Sequence, residues 1–136
     1  MLQPVAVKHR KVHRVGLGRV SLRNIRIGYG VYGLKSLEEG IVRSRELESG
    51  RMSIKRGIKK TGKFWLRKFP DISVTGKKSG VRIGKGKGAV VDWVCVVKPG
   101  EILFEIGGVT QKIAQDVLKI VGSKLSVKSK FIVLKE

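Results

Sequence analysis

The feature that most constrains this chain is its densest apolar stretch, Trp93 to Val97, broken at Pro99-Gly100 and followed by a second apolar segment over Glu101 to Ile106. A membrane-spanning helix needs roughly 20 apolar residues, so neither segment can cross a bilayer. Short apolar runs bounded by turn residues read as strands. Pro presets φ and Gly tolerates a positive one, so Pro99-Gly100 is a turn signal. The expectation is a hairpin of Val90 to Lys98 with Glu101 to Ile106. Cys95 lies inside the first strand and has no second cysteine to pair with, which makes it a small buried hydrophobe in a reducing compartment rather than half of a disulfide.

Other segments follow from periodicity. Ile25, Ile27, Tyr29 and Val31 alternate with Arg26, Gly28, Gly30 and Tyr32, the pattern of a strand buried on one side. Residues 44 to 60 change period: at about 100° per residue, Leu47, Ile54 and Ile58 fall in one narrow stripe. Ser44 is positioned to cap this helix, and Glu46 and Glu48 lie where its dipole favours negative charge. Gly50 costs the helix roughly 1 kcal/mol relative to Ala, so packing must hold it together. Strands are expected at Lys63 to Phe69, Ile72 to Thr75 and Lys130 to Leu134. A second helix is expected from Gln111 to Lys124, capped by Thr110, with Ile113, Ala114, Val117, Leu118, Val121 and Leu125 on its apolar face. Two packed helices with a mixed or antiparallel sheet make an α+β domain, here residues 21–136. Residues 1–20 show no periodicity and read as an extended basic N-terminal arm.

Charge separates this domain from an ordinary one. Thirty Lys and Arg face ten Asp and Glu, a formal net charge of +20. Such a field calls for a polyanion. With 41% hydrophobic residues the chain can still build a core, unlike a disordered basic tail. Residues 1–68 hold 18 basic and 4 acidic side chains, against 12 and 6 in residues 69–136, so the nucleic-acid face leans to the N-terminal half. The first 37 residues carry eight basic and no acidic side chains, yet their pattern runs directly into the strand alternation and is read as part of the mature protein rather than a transit peptide.

Candidate contacts group in three places. The arm offers Lys8, Arg10, Lys11, His13 and Arg14. The first helix and the strand after it offer Arg45, Arg51, Lys55, Arg56, Lys59, Lys60 and Arg67; no acid interleaves with the later cations of the helix, so the arc is not a salt-bridged solvent face. A Gly/Lys-rich loop at 76–89 offers Arg82, Lys85, Gly86 and Lys87, its glycines allowing the backbone close to a phosphate or base. Val81 and Ile83 flank Arg82, so strand alternation is expected to turn the Arg82 guanidinium away from them.

Several motifs are decoys. Gly28 to Gly33 reads GYGVYG, but a dinucleotide fingerprint needs a helix opening at the glycines and an acid about 20 residues on, where this chain has Ser53. These glycines are expected to let a strand bend or another backbone approach. GKGKG at Gly84 to Gly88 lacks the spacing of a phosphate loop. His9 and His13 are four apart without further ligands, so no metal is assigned. No cofactor is expected. Asp71 and Asp92 form no acid and base pair, and the chain is not read as an enzyme.

The order of segments resembles the large-subunit ribosomal protein L-sixteen family of bacterial and organellar type. The matching residues are MLQP and KHRKVH at the start, YGVYGLK at Tyr29 to Lys35, SRELESGR at Ser44 to Arg51, GKFWLRKFPD at Gly62 to Asp71, VRIGKGKG at Val81 to Gly88, WVCVVKPGEILFEIGGV at Trp93 to Val109, and the closing AQDVLKIVGSKL. This resemblance implies a hammerhead-like fold on large-subunit rRNA, near the aminoacyl-site tRNA and the peptidyl-transferase centre, with a role in late assembly and tRNA positioning. It implies neighbouring large-subunit proteins as partners, with neither a membrane nor a homo-oligomer. The chain departs from the family's Gly, Arg and Lys-rich run after His13, where it has Val15, Gly16 and Leu17, and has Ser49 and Gly50 in place of the small residues typical of the family's first helix. That drift, with a bacterial-like length, is read as an organelle-encoded protein of the mitochondrial matrix, with plastid stroma and bacterial cytoplasm as alternatives. The competing reading of the same charge is a non-ribosomal RNA-binding module or RNA chaperone.

Overall fold

The structure, a computed structural model, describes residues 2–13, 16–18 and 20–134. Seven strands and two helices follow one another along these residues: β1 (Tyr32–Ser36), β2 (Gly40–Arg43), α1 (Ser44–Ile58), β3 (Lys63–Leu66), β4 (Ile72–Gly76), β5 (Ala89–Val97), β6 (Ile102–Gly107), α2 (Gln111–Gly122) and β7 (Ser129–Val133). All the pairings are antiparallel. They make two sheets, one in the order β3-β6-β1-β7 and one in the order β2-β5-β4. The fold is α+β.

The central strand explains the first sheet. Every residue of β6 is buried, because β1 and β3 occupy both of its edges and chain covers both of its faces. Phe104 reaches the helices on one face. Glu105 points by the pleat to the other, where residues 28–30 lie over it. On α1 the stripe of Leu47, Ile54 and Ile58 is buried as its spacing predicts, and Val117, Leu118 and Val121 of α2 meet it in a common core with Leu34, Val42 and Val97; Ala114 of α2 is also buried. Glycines set the distance between the helices. A Cβ on Gly57 would stand 2.2 Å from Val117 Cγ2, and one on Gly50 would stand 2.9 Å from Phe104 Cζ. The two glycines that weaken α1 in isolation are what let α2 and β6 come close.

The expected hairpin does not form. The turn itself is present: Glu101 N–H donates to the Lys98 carbonyl at 3.2 Å and Gly100 has a φ of 91°. Yet β5 and β6 belong to different sheets, because β2 and β4 take both edges of β5. The turn is a corner between sheets. Gly100 N–H donates to the Ser36 carbonyl at 2.9 Å, and Ser36 N–H returns a bond to the Glu101 carbonyl at 2.8 Å, so the chain leaving the corner meets β1 instead of folding back on β5. Glu101, buried there, pairs with Lys68 at 2.5 Å and accepts bonds from Ser21 Oγ and Lys98 N–H.

Other boundaries also move. The expected strand at 25–31 is irregular chain, and Ile25, Tyr29 and Val31 are exposed. Three of its N–H groups bond a side chain, Gly28, Tyr29 and Gly30 all donating to the Glu105 carboxylate, and only at Val31 does an N–H reach a neighbouring strand, at the Ile106 carbonyl. Gly30 also lies where a Cβ would be 2.6 Å from the Ile106 carbonyl oxygen, the close backbone approach expected of this glycine run. Neither expected capping side chain caps. Arg43 occupies the N-cap of α1, while Ser44 is already helical and its hydroxyl donates to the Leu2 carbonyl at 2.5 Å. Thr110 stands at the N-cap of α2 without a side-chain hydrogen bond. Both helices end earlier than expected, at Ile58 and Gly122, and Ile113 lies on the exposed side of α2. Strand β2 was not foreseen; its short GIVR sequence carries too little alternation to read. Cys95 is buried against the Val42 carbonyl, and burial pushes its thiol up to about 11.

Candidate nucleic-acid interface

Three sets of cations reach the surface. In the described part of the arm, Lys8, Arg10, Lys11 and His13 are exposed; Arg14 lies outside the described residues. The arm is tied to the body at intervals. Its second residue bonds Ser44 at the head of α1, the Arg10 carbonyl accepts a hydrogen bond from Ser73 Oγ in β4, and Leu2 packs against the core. These bonds use the arm's main chain. They leave the side chains of Lys8, Arg10 and His13 exposed.

The second set lies on α1. Arg45, Lys55 and Arg56 are exposed on the side away from the buried stripe, and Lys59 and Lys60 continue it past the helix end. Arg51 is placed differently, because its guanidinium pairs with Glu48 one turn earlier at 2.5 Å. That bond, aided by the charge of Arg51, holds the Glu48 carboxyl below the usual range. Arg67 is the clearest exception. Its guanidinium pairs with buried Glu105, donates to Asn24 Oδ1 at 3.0 Å and sits 5.0 Å from the centre of the Tyr29 ring. Burial would push the Glu105 carboxyl up, but the N–H groups of Gly30, Tyr29 and Gly28 together with Arg67 outweigh it and hold the group below its ordinary range. Arg67 is turned inward, tying β3 to the segment before β1.

The third set is the connection between β4 and β5, residues 77–88, in which Arg82, Lys85, Gly86 and Lys87 are all exposed. Strand alternation does not orient Arg82 as expected. The segment is irregular, and Val81 and Ile83 are exposed beside it, Ile83 at 95%. Positive φ values at Gly80, Gly84, Lys85 and Gly86 coil the tip and break the pleat. The tip meets the arm: Lys11 Nζ donates to the Lys87 carbonyl at 2.8 Å, and Lys87 Nζ donates to the Val12 carbonyl at 2.5 Å. Arm and loop, 76 positions apart, are thus clasped, each ammonium group donating to a main-chain carbonyl of the other segment.

Charge balance sharpens this picture. The ion pairs among the described residues involve only Arg51, Arg67, Lys68 and Lys128 as cations. None of the described arm or loop cations takes part. An array of cations without counter-charges, on irregular chain and on one helix face, is the footprint of a phosphate backbone. Among the described residues no three His, Cys, Asp or Glu side chains gather, and no helix is long and apolar enough to cross a membrane. The GYGVYG run leads into β1 rather than opening a helix, so it has no dinucleotide geometry.

Residues 4–132 match the family described as Ribosomal protein L16p/L10e. The chain belongs to this family. Relatives in it include the large ribosomal subunit protein uL16 of Agrobacterium fabrum, 46% identical over 132 residues, which are 97% of this chain and 96% of that protein. The uL16 of Rhizobium rhizogenes is 45% identical over the same coverage. The uL16c of Ostreococcus tauri is 44% identical over 136 residues, the whole of this chain and 96% of that one. As a member of the L16p/L10e family the chain is a structural, non-enzymatic constituent of the ribosome and acts in translation.

Sequence reasoning missed two exposed or half-buried groups in this region. Tyr29 was assigned to a buried strand face, whereas it is exposed and stacks on Trp65, which had no assigned role. The only signal for it was the glycine on either side of Tyr29, which a regular strand disfavours.

Proposed function

We propose that this constituent of the large ribosomal subunit binds large-subunit rRNA through its arm, its α1 cations and its β4–β5 loop, and that the loop reaches the aminoacyl-site tRNA beside the peptidyl-transferase centre. The observation that carries the reading is the clasp of arm and loop through Lys11 and Lys87, which gathers cations with no carboxylate partner in a chain of net charge +20. Such a pair is poised for a phosphate that bridges both segments. In the arm, Lys8, Arg10 and His13 flank this point. On α1, Arg45, Lys55, Arg56, Lys59 and Lys60 are spaced along one side for a second stretch of backbone, and Gly86 lets the loop approach closely.

Residues 1–20 act as a basic arm on a single α+β domain, 21–136. The ribosome is that of an organelle, and we assign it to the mitochondrial matrix. Its support is the drift from the family pattern over residues 15–17, in a chain otherwise alike to bacterial uL16 proteins. Cell fractionation tests the assignment: the protein is expected in mitochondrial large subunits, and its recovery in plastid or bacterial ribosomes overturns it.

Co-sedimentation with large subunits through a high-salt wash tests the ribosomal reading, which predicts retention; a free RNA chaperone would be stripped off. Arg82 tests the loop. A guanidinium stacks on bases and forks onto phosphate, which the point charges of Lys85 and Lys87 cannot do. Arg82→Ala is expected to leave incorporation intact but slow tRNA accommodation, with Arg82→Lys recovering only part of the rate. Wild-type elongation by Arg82→Ala ribosomes contradicts the tRNA role.

A further inference from the structure

The irregular segment before β1 presents one side chain in an unusual way. Tyr29 is 66% exposed, yet nothing about its position is loose. Its N–H donates to Glu105 at 2.7 Å, and the N–H groups on either side, Gly28 and Gly30, donate to the same buried carboxylate at 3.2 and 2.9 Å. Its ring lies against Trp65, with centroids 6.2 Å apart and planes 21° from parallel, and the Arg67 guanidinium carbon sits 5.0 Å from its centre. With the residue exposed despite these two neighbours, ring surface is left for a further contact, while the buried Glu105 carboxylate fixes the main chain beneath it.

Single exposed aromatics are common and by themselves mean little. Here the setting adds chemistry. Arg23 and Arg26 are exposed on the same segment, and no acid occurs in the first 37 residues. The carboxylates bonded to this segment, Glu105 and Glu101, are buried and already paired with Arg67 and Lys68. An exposed aromatic ring beside unpaired guanidinium groups matches a nucleotide, whose base stacks while its phosphate takes the charge. An acidic peptide would satisfy the cations and leave the ring without a partner.

We propose that Tyr29, braced by Trp65 and Arg67, is a stacking platform for an unpaired base of RNA. This rests on the RNA-binding reading above and adds to it a contact that does not depend on charge. Losing a stacked base weakens binding by about 5- to 150-fold but leaves the number of neutralised phosphates unchanged.

The full chain bound to large-subunit rRNA across a salt series separates the two effects. Tyr29→Leu, which keeps apolar bulk without a π-face, is expected to lose affinity by about 5-fold or more with the wild-type salt slope and thermal midpoint. Tyr29→Phe is expected to stay within about twofold of wild type, since every aromatic face stacks. Ultraviolet cross-linking of intact large subunits should yield a nucleotide adduct at Tyr29. Wild-type affinity for Tyr29→Leu, or a cross-link from Tyr29 to a protein instead of a nucleotide, overturns the platform and leaves RNA binding standing. Absence of salt-dependent RNA binding by the wild-type chain overturns both.

Discussion

Glu105 and Arg67 decide the local structure before β1, and they do so as a unit. With Glu105 fully buried, removing Arg67 leaves a carboxylate that keeps its N–H donors but has no counter-charge, so Arg67→Ala is expected to cost about 3 kcal/mol at neutral pH. The pH dependence follows from the lowered Glu105 pKa. Stability from this group is complete above the ordinary glutamate value of 4.5 and is lost as pH falls through the lower folded value. Arg67→Ala removes one of the causes of that lowering, so the gap between variant and wild type should narrow as pH falls below 4.5. Urea titrations at pH 7 and pH 3 measure it; an equal gap at both contradicts the pairing. None of this was legible in the sequence, because ILFEIG reads simply as a strand and Arg67 as one more cation. A buried carboxylate shows itself only when the chain 75 residues earlier folds over it.

The helices were the most legible elements, since their apolar spacing repeats over several turns and survives small errors at the ends. Leu47, Ile54 and Ile58, with Ala114, Val117, Leu118 and Val121, are buried as that spacing predicts. Strand pairing was less so. Apolar content marks Trp93 to Val97 and Ile102 to Ile106 as strands but does not say which edges are already taken, and so the corner at Pro99-Gly100 read as a hairpin. Packing also reverses a propensity rule. Ala is a better helix former than Gly by about 1 kcal/mol, yet Gly57→Ala would place a methyl 2.2 Å from the stiff Val117 side chain. A net loss of about 1–3 kcal/mol is expected. Val117→Ala in the same chain should recover part of it, and a stabilised Gly57→Ala variant in thermal melts contradicts the close contact. At the end of α1, Lys59 has a φ of 53° and a ψ of −130°, a conformation costing an L-residue about 1–3 kcal/mol. Lys59→Gly is expected to raise stability by about 1 kcal/mol and weaken rRNA binding, so a variant equal to wild type in both assays would deny Lys59 its RNA role.

At the scale of the molecule, net charge points to a polyanion while the fold decides which cations reach the surface. Along the sequence the arm, α1 and the loop are separate basic segments. The structure joins arm to loop through Lys11 and Lys87, leaves most of the α1 cations on its outer side, and withdraws Arg67 into the interior. Such an arrangement binds by displacing counterions, so its strength must fall steeply with salt. The most direct test is the affinity of the full chain for large-subunit rRNA measured from low to moderate salt. Engagement of roughly 6 to 10 phosphates predicts a log-log slope of about −5 to −9, and a nearly flat dependence would contradict an interface built on unpaired cations.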